Sequence, residues 1–313
     1  MRILVIGGSR FIGVALVRQL LAAGHAVTVF NRGSRPALAG VEQLVGDRQD
    51  PAALAQLQGR SFDVVFDNTG REAAETQALV ASLDGQFQQL IYVSSAGVYA
   101  ASDQLPLRES DPVDPQSRHR GKFETENWLQ QQGLPFTAFR PVYIYGPGNY
   151  NPLEQWSSIA FCVIGPLPIP GTGLHLTQLG HVEDLATAMV AAVKNPRAIG
   201  QIYNLSGDRY VSFDGLARAC AIAAGRDPQA LHLVHYDPKQ LNLGKRKAFP
   251  MRAQHFITAI DQARQDLEWV PRFSLIDGLQ NSLQNDYLAR GLDQQAVDFS
   301  LDEEILAAVS SSP

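Results

Sequence analysis

The sequence predicts an α/β fold, a doubly wound parallel sheet followed by a smaller C-terminal α/β lobe. Apolar runs of strand length alternate with helix-period segments from Ile3 to about Gln132, the pattern of repeated β-α-β units. The first run passes through a glycine turn, Gly7-Gly8-Ser9-Arg10-Phe11-Ile12-Gly13, directly into a helix. A chain of 313 residues, 45% hydrophobic and 18% charged, can bury one large core and a second, smaller one.

Taken in order, Ile3-Leu4-Val5-Ile6 reads as a buried strand, the following helix ends near Gly24, and Val27-Thr28-Val29-Phe30 is the second strand. Leu44-Val45-Gly46-Asp47 is a short strand end, followed by a helix from Pro51 to about Leu57. Val64-Val65-Phe66 leads into Asp67-Asn68-Thr69-Gly70; a helix covers about Ala73 to Leu83, and Gln89 to Val93 is a strand ending in Ser94-Ser95. Another helix spans about Gly121 to Gln132. Pro166, Pro168, Pro170, Gly171 and Gly173 mark a loop-rich excursion from the sheet. His181 to Val193 reads as a helix that opens with acidic residues, and Ile202-Tyr203-Asn204-Leu205 as the last sheet strand. The expected division is a first domain of 1–150 plus about 176–208, a second lobe of about 151–175 plus 209–290, and a tail of 291–313.

The opening unit has the form that holds a dinucleotide. Gly7 and Gly8 permit a tight turn in which backbone N–H groups at a helix N-terminus face a pyrophosphate, and Gly13 lets helix and strand pack closely. Two positions depart from the commonest form. Arg10 fills a slot where glycine is frequent, and Asn31-Arg32 stands where an acid would accept from a ribose 2′-hydroxyl and repel a 2′-phosphate. With Arg10 and Arg32 both able to meet a phosphate, the cofactor expected is NADP in preference to NAD. The strand ends should meet at one crevice, so Asp47 and Arg48, and beyond them Asn68, Thr69 and Gly70, are further cofactor residues. Asp47 would accept from the adenine amino group or simply form a turn.

A net charge of -5 excludes nucleic-acid affinity from global charge, so an anionic partner must meet a local basic patch. Two cysteines, Cys162 and Cys220, cannot build a disulfide framework or a structural zinc site. No apolar run approaches the ~20 residues needed to span a bilayer, and a strand at residue 3 leaves no room for a targeting segment. The expectation is a protein with no membrane association, in a reducing compartment.

Several stretches together resemble the extended short-chain dehydrogenase/reductases, the NAD-dependent epimerase/dehydratase group with a Rossmann sheet. These are Gly7 to Gly13, Gly46-Asp47-Arg48-Gln49-Asp50, Val93-Ser94-Ser95-Ala96-Gly97-Val98-Tyr99, Arg140-Pro141-Val142-Tyr143-Ile144-Tyr145-Gly146-Pro147, and Leu267-Glu268-Trp269-Val270-Pro271 with Gly278-Leu279. The resemblance implies a Ser, a Tyr and a Lys as catalytic groups, the Lys lowering the phenol pKa and also contacting the cofactor. Ser95 and Lys122 match; four residues before Lys122, however, stands Arg118 in the tyrosine slot. Arginine stays protonated and cannot exchange the proton. Tyr99 and His119 are the substitutes in reach, although helical spacing would set His119 about 100° from the vacant position.

The departures resemble the chloroplast stem-loop-binding proteins, in particular their b-type, from plastids and photosynthetic bacteria. The match lies in Ser117 to Glu126, Gly146 to Pro152, Gln178 to Ala188 and Lys245-Arg246-Lys247-Ala248-Phe249-Pro250. It implies RNA binding, metal-dependent endoribonuclease activity, and a cytoplasmic location in a photosynthetic bacterium or a mature plastid form. Two basic clusters fit an RNA partner: Arg118, His119, Arg120 and Lys122; and Lys239, Lys245, Arg246, Lys247, Arg252 and His255, interleaved with Tyr236, Phe249 and Phe256 as surfaces for unpaired bases. Facing each other across an interlobe cleft, they would form a basic groove. The same residues are open to two other readings, contact with a sugar nucleotide through Arg252 or a solvated face. His119 with Lys122 is the candidate pair for cleavage. Glu183 and Asp184 are either metal ligands or partners of a helix dipole. The alternatives in function are a sugar-nucleotide epimerase, dehydratase or reductase, and a non-catalytic scaffold in RNA–protein complexes or a homo-oligomer.

Overall fold

The computed structural model describes residues 1–36, 38–151, 153, 156–157, 160–161, 165–241, 243–244, 246 and 248–310. Two compact units emerge, one made of 1–142, 182–206 and 258–270, the other of 143–181, 207–257 and 271–313. Residues 176–181 therefore join the second unit and 258–270 the first, where the sequence pattern assigns them the other way. The segment read as a tail holds a helix, Ser300–Ser310, of which Ile305 is fully buried.

In the first unit seven parallel strands form one sheet: β1 (Arg2–Ile6), β2 (Ala26–Asn31), β3 (Glu42–Val45), β4 (Phe62–Asp67), β5 (Phe87–Val93), β6 (Phe136–Pro141) and β10 (Gln201–Leu205). Their order is β10-β6-β5-β4-β1-β2-β3. The central strands are apolar on both faces because helices cover both, as in β1, where Ile3, Leu4 and Val5 are wholly inaccessible. The order reverses beside β1, and a reversal of this kind opens a crevice at the carboxyl ends of the strands. One side of the core is built from Leu4, Phe30, Leu57, Val65, Leu79, Leu90, Tyr92 and Phe136.

Helix α1 (Ile12–Ala22) follows the glycine turn, and the helix Val182–Ala191 is tied to it by Glu183, which accepts from Arg18 and from Gln19 Nε2. Helix α2 (Pro51–Leu54) begins where the Asp50 carboxylate accepts from Ala52 N–H at 2.9 Å. Helix α3 (Ala73–Leu83) has its entry fixed by Glu75, which accepts from Arg71 N–H at 2.7 Å. Helix α4 (Arg120–Gln131) carries Lys122 in its first turn. Arg140 and Glu126 form a buried ion pair, 2.6 Å at its shorter contact, between β6 and α4.

The second unit has a three-stranded sheet, β11 (Tyr210–Ser212), β9 (Leu176–His181) and β7 (Tyr143–Tyr145), and a parallel pair, β12 (Leu233–Tyr236) with β8 (Leu167–Pro170). Its core gathers Trp156, Phe161, Phe213, Leu216, Phe249, Leu279 and Tyr287. No helix among the described residues is long and apolar enough to cross a membrane.

Candidate functional site

The glycine turn is built as a cradle. Gly13 is packed so tightly that a Cβ there would lie 2.3 Å from Gly7 O, and one on Gly7, at φ 87°, would meet Thr69 Cγ2 at 2.2 Å. Arg10 fits the slot often held by glycine because the positive φ falls elsewhere, on Gly7 and on Phe11 at φ 41°. Phe11 takes that strained conformation, of about 1–3 kcal/mol, while its ring is buried, so core packing holds it there. Ser9 and Ile12 are half-buried in this loop, Gly8 is buried against Val17 and Val29, and Arg10 is exposed.

Around the turn, polar atoms lie buried with no partner in the protein: both amide atoms of Asn68, Asn31 Nδ2, Arg48 Nε and Ser94 Oγ. Buried polar groups are ordinarily bonded, and four orphaned side chains near the sheet's carboxyl edge fit a polar ligand such as a dinucleotide. Asn31 Oδ1 accepts from Gly33 N–H at 2.8 Å and Gln43 Nε2 at 3.0 Å, so the amide presents a donor where a carboxylate would present acceptors. Arg32 is exposed beside it.

Other expected cofactor residues are engaged differently. Asp47 Oδ1 accepts from Gln49 N–H at 3.0 Å, the turn-forming role. Arg48 is directed into the protein, its two terminal nitrogens on the Asp67 carboxylate and one of them also 3.0 Å from Thr69 Oγ1. Asp67 is fully buried and also accepts from Gly70 N–H and Thr76 Oγ. Burial opposes its charge, but the Arg48 guanidinium and the Thr76 hydroxyl outweigh that and hold its carboxyl below the usual range. Asp67 is the residue that sequence reasoning missed; the only signal was an acid closing an apolar strand, with an arginine at the end of the strand before it.

Lys122 Nζ donates to Val93 O at 2.6 Å and stands over the Tyr92 ring. Desolvation brings its ammonium down to about 8, against the pull of Asp67. It belongs to the crevice and not to a surface basic cluster. Ser95 Oγ accepts from Gly97 N–H, and Gly97 leaves the space that His119 fills: a Cβ on Gly97 would lie 2.8 Å from His119 Nε2 and 3.1 Å from Ser95 Oγ. Arg118 and His119 precede α4 instead of lying on it, so the 100° helical offset does not apply and His119 does reach the Ser95 side. Arg118 is exposed and its Nε donates to His119 Nε2 at 3.0 Å; Arg120 is exposed as well.

Tyr99 is no substitute for the missing tyrosine. It is 2% exposed, its hydroxyl donates to Asn204 Oδ1 at 2.7 Å, and burial pushes its phenol up to about 12. In the second unit the aromatic part of the basic segment is also corrected. Tyr236, Phe249 and Phe256 are 6%, 5% and 5% exposed, with Phe249 packed on Trp156 and Phe213, so they build core and cannot stack on bases. Arg246 is held by Glu304 at 2.7 and 2.9 Å, and the Arg252 guanidinium lies over the Phe256 ring. Lys245 and Lys247 lie outside the described residues. Among the described residues no three His, Cys, Asp or Glu side chains are grouped to hold a metal ion, and Glu183 is taken by Arg18 and Gln19.

Comparison with known proteins agrees with this geometry. The model of the NAD dependent epimerase/dehydratase family matches residues 3–206. The chain is 46% identical to the chloroplast stem-loop binding protein of 41 kDa b from Arabidopsis thaliana, across 98% of this chain and 84% of that protein. It is 26% identical to a UDP-glucose 4-epimerase of Azospirillum brasilense, across 90% of each. Among solved structures, the UDP-glucose 4-epimerase of Thermotoga maritima superposes with a TM-score of 0.76 at 20% identity, over 93% of this chain and all of that one, 100%. A Stenotrophomonas maltophila epimerase with bound NAD gives 0.76 at 19% identity, over 95% of this chain and 100% of the other. A Rossmann sheet of this order, a glycine cradle with orphaned polar atoms around it, and these matches make the chain a member of the NAD dependent epimerase/dehydratase family.

Proposed function

We propose that this protein is an RNA-binding member of its family that keeps the dinucleotide crevice and has lost the ordinary hydride-transfer cycle. The observation that carries the reading is Arg118. It stands in the tyrosine slot, exposed and bonded to His119, while Tyr99, the phenol offered as its substitute, is buried, held by Asn204 and raised in pKa. No side chain at that position can pass a proton to and from a sugar hydroxyl near neutral pH. The 46% identity to a protein named for stem-loop binding supports RNA as the partner. Arg118 and Arg120 on one unit, and the basic residues from Lys245 to Arg252 on the other, are assigned to its phosphates. With its aromatic side chains buried, the second segment contributes charge and not base stacking.

The bound dinucleotide is NADP in preference to NAD. Arg10 and Arg32 are exposed at the cradle and the Asn31 amide offers a donor. When bound, such a cofactor supplies a hydride acceptor; here Lys122 and Ser95 would orient it while Arg118 leaves the proton step unserved. Titration calorimetry with each cofactor, and with Arg32→Ala, tests this; equal affinity for both, or no change in the variant, overturns it.

RNA binding is tested by gel shift with a structured RNA at rising salt, comparing wild type with Arg118→Ala/Arg120→Ala and with Lys245→Ala/Arg246→Ala/Lys247→Ala. Each variant should bind more weakly and with a shallower salt slope, because each lost phosphate contact releases fewer counterions. Wild type that fails to bind at low salt, or two variants that match it, would overturn the assignment.

A further inference from the structure

One of the cations assigned to RNA phosphates already holds an anion, and that anion belongs to the chain itself. Arg246 Nη1 donates to Glu304 Oε2 at 2.7 Å and Nη2 to Oε1 at 2.9 Å, so both arms of the guanidinium fork close on one carboxylate. Carboxylate and phosphate engage this fork in the same two-bond geometry, which makes Glu304 a stand-in for a phosphate. Arg246 Nε donates to Leu243 O at 3.4 Å, and Arg246 and Arg252 line one cavity of about 400 Å³ with Pro170, Tyr236, Phe249 and Met251. A phosphate that takes the same fork has to displace Glu304.

The charge pattern extends beyond the one pair. Residues 238–255 carry Lys239, Lys245, Arg246, Lys247 and Arg252 and no carboxylate, whereas residues 291–313 carry Asp293, Asp298, Asp302, Glu303 and Glu304 and no lysine or arginine. The carboxylates of 291–313 equal the whole net charge of -5, so the remainder of the chain is neutral. The helix Ser300–Ser310 carries the last three of them and packs on β8 and β12, with Ile305 fully buried and Phe299 against the core. Its apolar face holds it there. The ion pair does not, since its partners are 54% and 48% exposed and such pairs add little to stability. Burial and the neighbouring Asp298 push the Asp302 carboxyl up to about 6, so at neutral pH its charge works against the seat. An exposed pair on a helix anchored elsewhere can open and reclose without unfolding the unit.

We propose that the helix Ser300–Ser310 is an autoinhibitory guard, in which Glu304 holds Arg246 until an RNA phosphate displaces it. This rests on the RNA-binding reading above and adds regulation to the same basic residues. The guard weakens the hold on any single phosphate and favours a strand whose successive phosphates reach several of the cations at once, because only such a partner offsets the loss of the Glu304 contact.

The test is a gel shift with a structured RNA at low salt, comparing wild type, Glu304→Gln, Glu303→Gln, Arg246→Ala and Arg246→Ala/Glu304→Gln in the full chain. Glu303, exposed one position earlier on the helix, is the control for net charge. Glu304→Gln should bind RNA about two- to fivefold more tightly, the range that an exposed ion pair spans. Glu303→Gln should gain less, and the double variant should bind no better than Arg246→Ala. Wild-type affinity in Glu304→Gln, an equal gain in Glu303→Gln, or a gain that survives in the Arg246→Ala background overturns the guard and leaves the RNA reading intact. Melting curves separate a structural anchor, since a lower midpoint in Glu304→Gln without tighter binding also overturns the guard. Failure of wild type and every variant to bind at low salt overturns both.

Discussion

The Arg48 guanidinium closes on the Asp67 carboxylate through two N–H···O bonds, 2.5 Å to Oδ1 and 2.9 Å to Oδ2, with the arginine side chain 10% exposed and the aspartate not at all. The pair joins the loop after β3 to the end of β4, two strands that the sheet order separates by β1 and β2. Asp67→Ala should destabilise the protein by about 3–5 kcal/mol, because it leaves a buried guanidinium without its counter-charge. Arg48→Met/Asp67→Leu should lose less than the single variant. Urea midpoints of the three proteins check this.

The same pair sets an acid limit. Asp67 has a folded pKa held below its unfolded value of 3.8, so its contribution is complete above that value and disappears as pH falls through the lower, folded one. Wild type should lose stability below about pH 4 more steeply than Asp67→Asn. Denaturation midpoints between pH 2 and 6 give the comparison.

Lys122 predicts a slope of the same sign in the alkaline range. Its amine titrates at about 8 when folded against 10.5 when exposed, so the unfolded chain binds more protons between these values and stability should rise with pH there. Lys122→Met should abolish that rise. Titration of the dimethylated amine by carbon NMR, with the variant for assignment, should place the Lys122 midpoint near 8.

Gly97→Ala should displace His119 from its place beside Ser95, since the new Cβ would stand 2.5 Å from the ring's Cδ2. A cost of about 1–3 kcal/mol is expected, of the size that overpacking brings. An altered His119 imidazole nitrogen shift should accompany it; an unchanged shift would show that the ring does not occupy that space.

Gly13→Ala should remove dinucleotide binding by at least about tenfold, because its Cβ would be driven into backbone, at 2.3 Å from Gly7 O and 2.9 Å from Gly8 Cα, and backbone cannot yield as a side chain can. Calorimetric titration of the folded variant measures the loss.

What local pattern determined about this protein is the sheet and its crevice. Apolar runs such as Ile3 to Ile6 are strands because both their faces are buried, and Gly7 to Gly13 is a cradle because only glycine leaves that backbone close to helix and ligand. Arg118 in place of a tyrosine is likewise legible from spacing to Lys122 alone. Tertiary structure decided which polar and aromatic groups remain available. Arg48 is directed to Asp67, nineteen positions on, and Arg246 is paired at the surface with Glu304, fifty-eight positions on, and no local pattern reveals a partner at that separation. Phe249 and Phe256 read as base platforms beside basic residues, but they are core because Trp156, Phe213 and Tyr143 pack against them from distant elements. His235 meets Asp214, and His175 packs on His255, from separate strands and loops, so these contacts exist only in the folded chain. Burial and proximity are properties of the whole packing, and they decide whether a residue of suitable type has a free atom to offer.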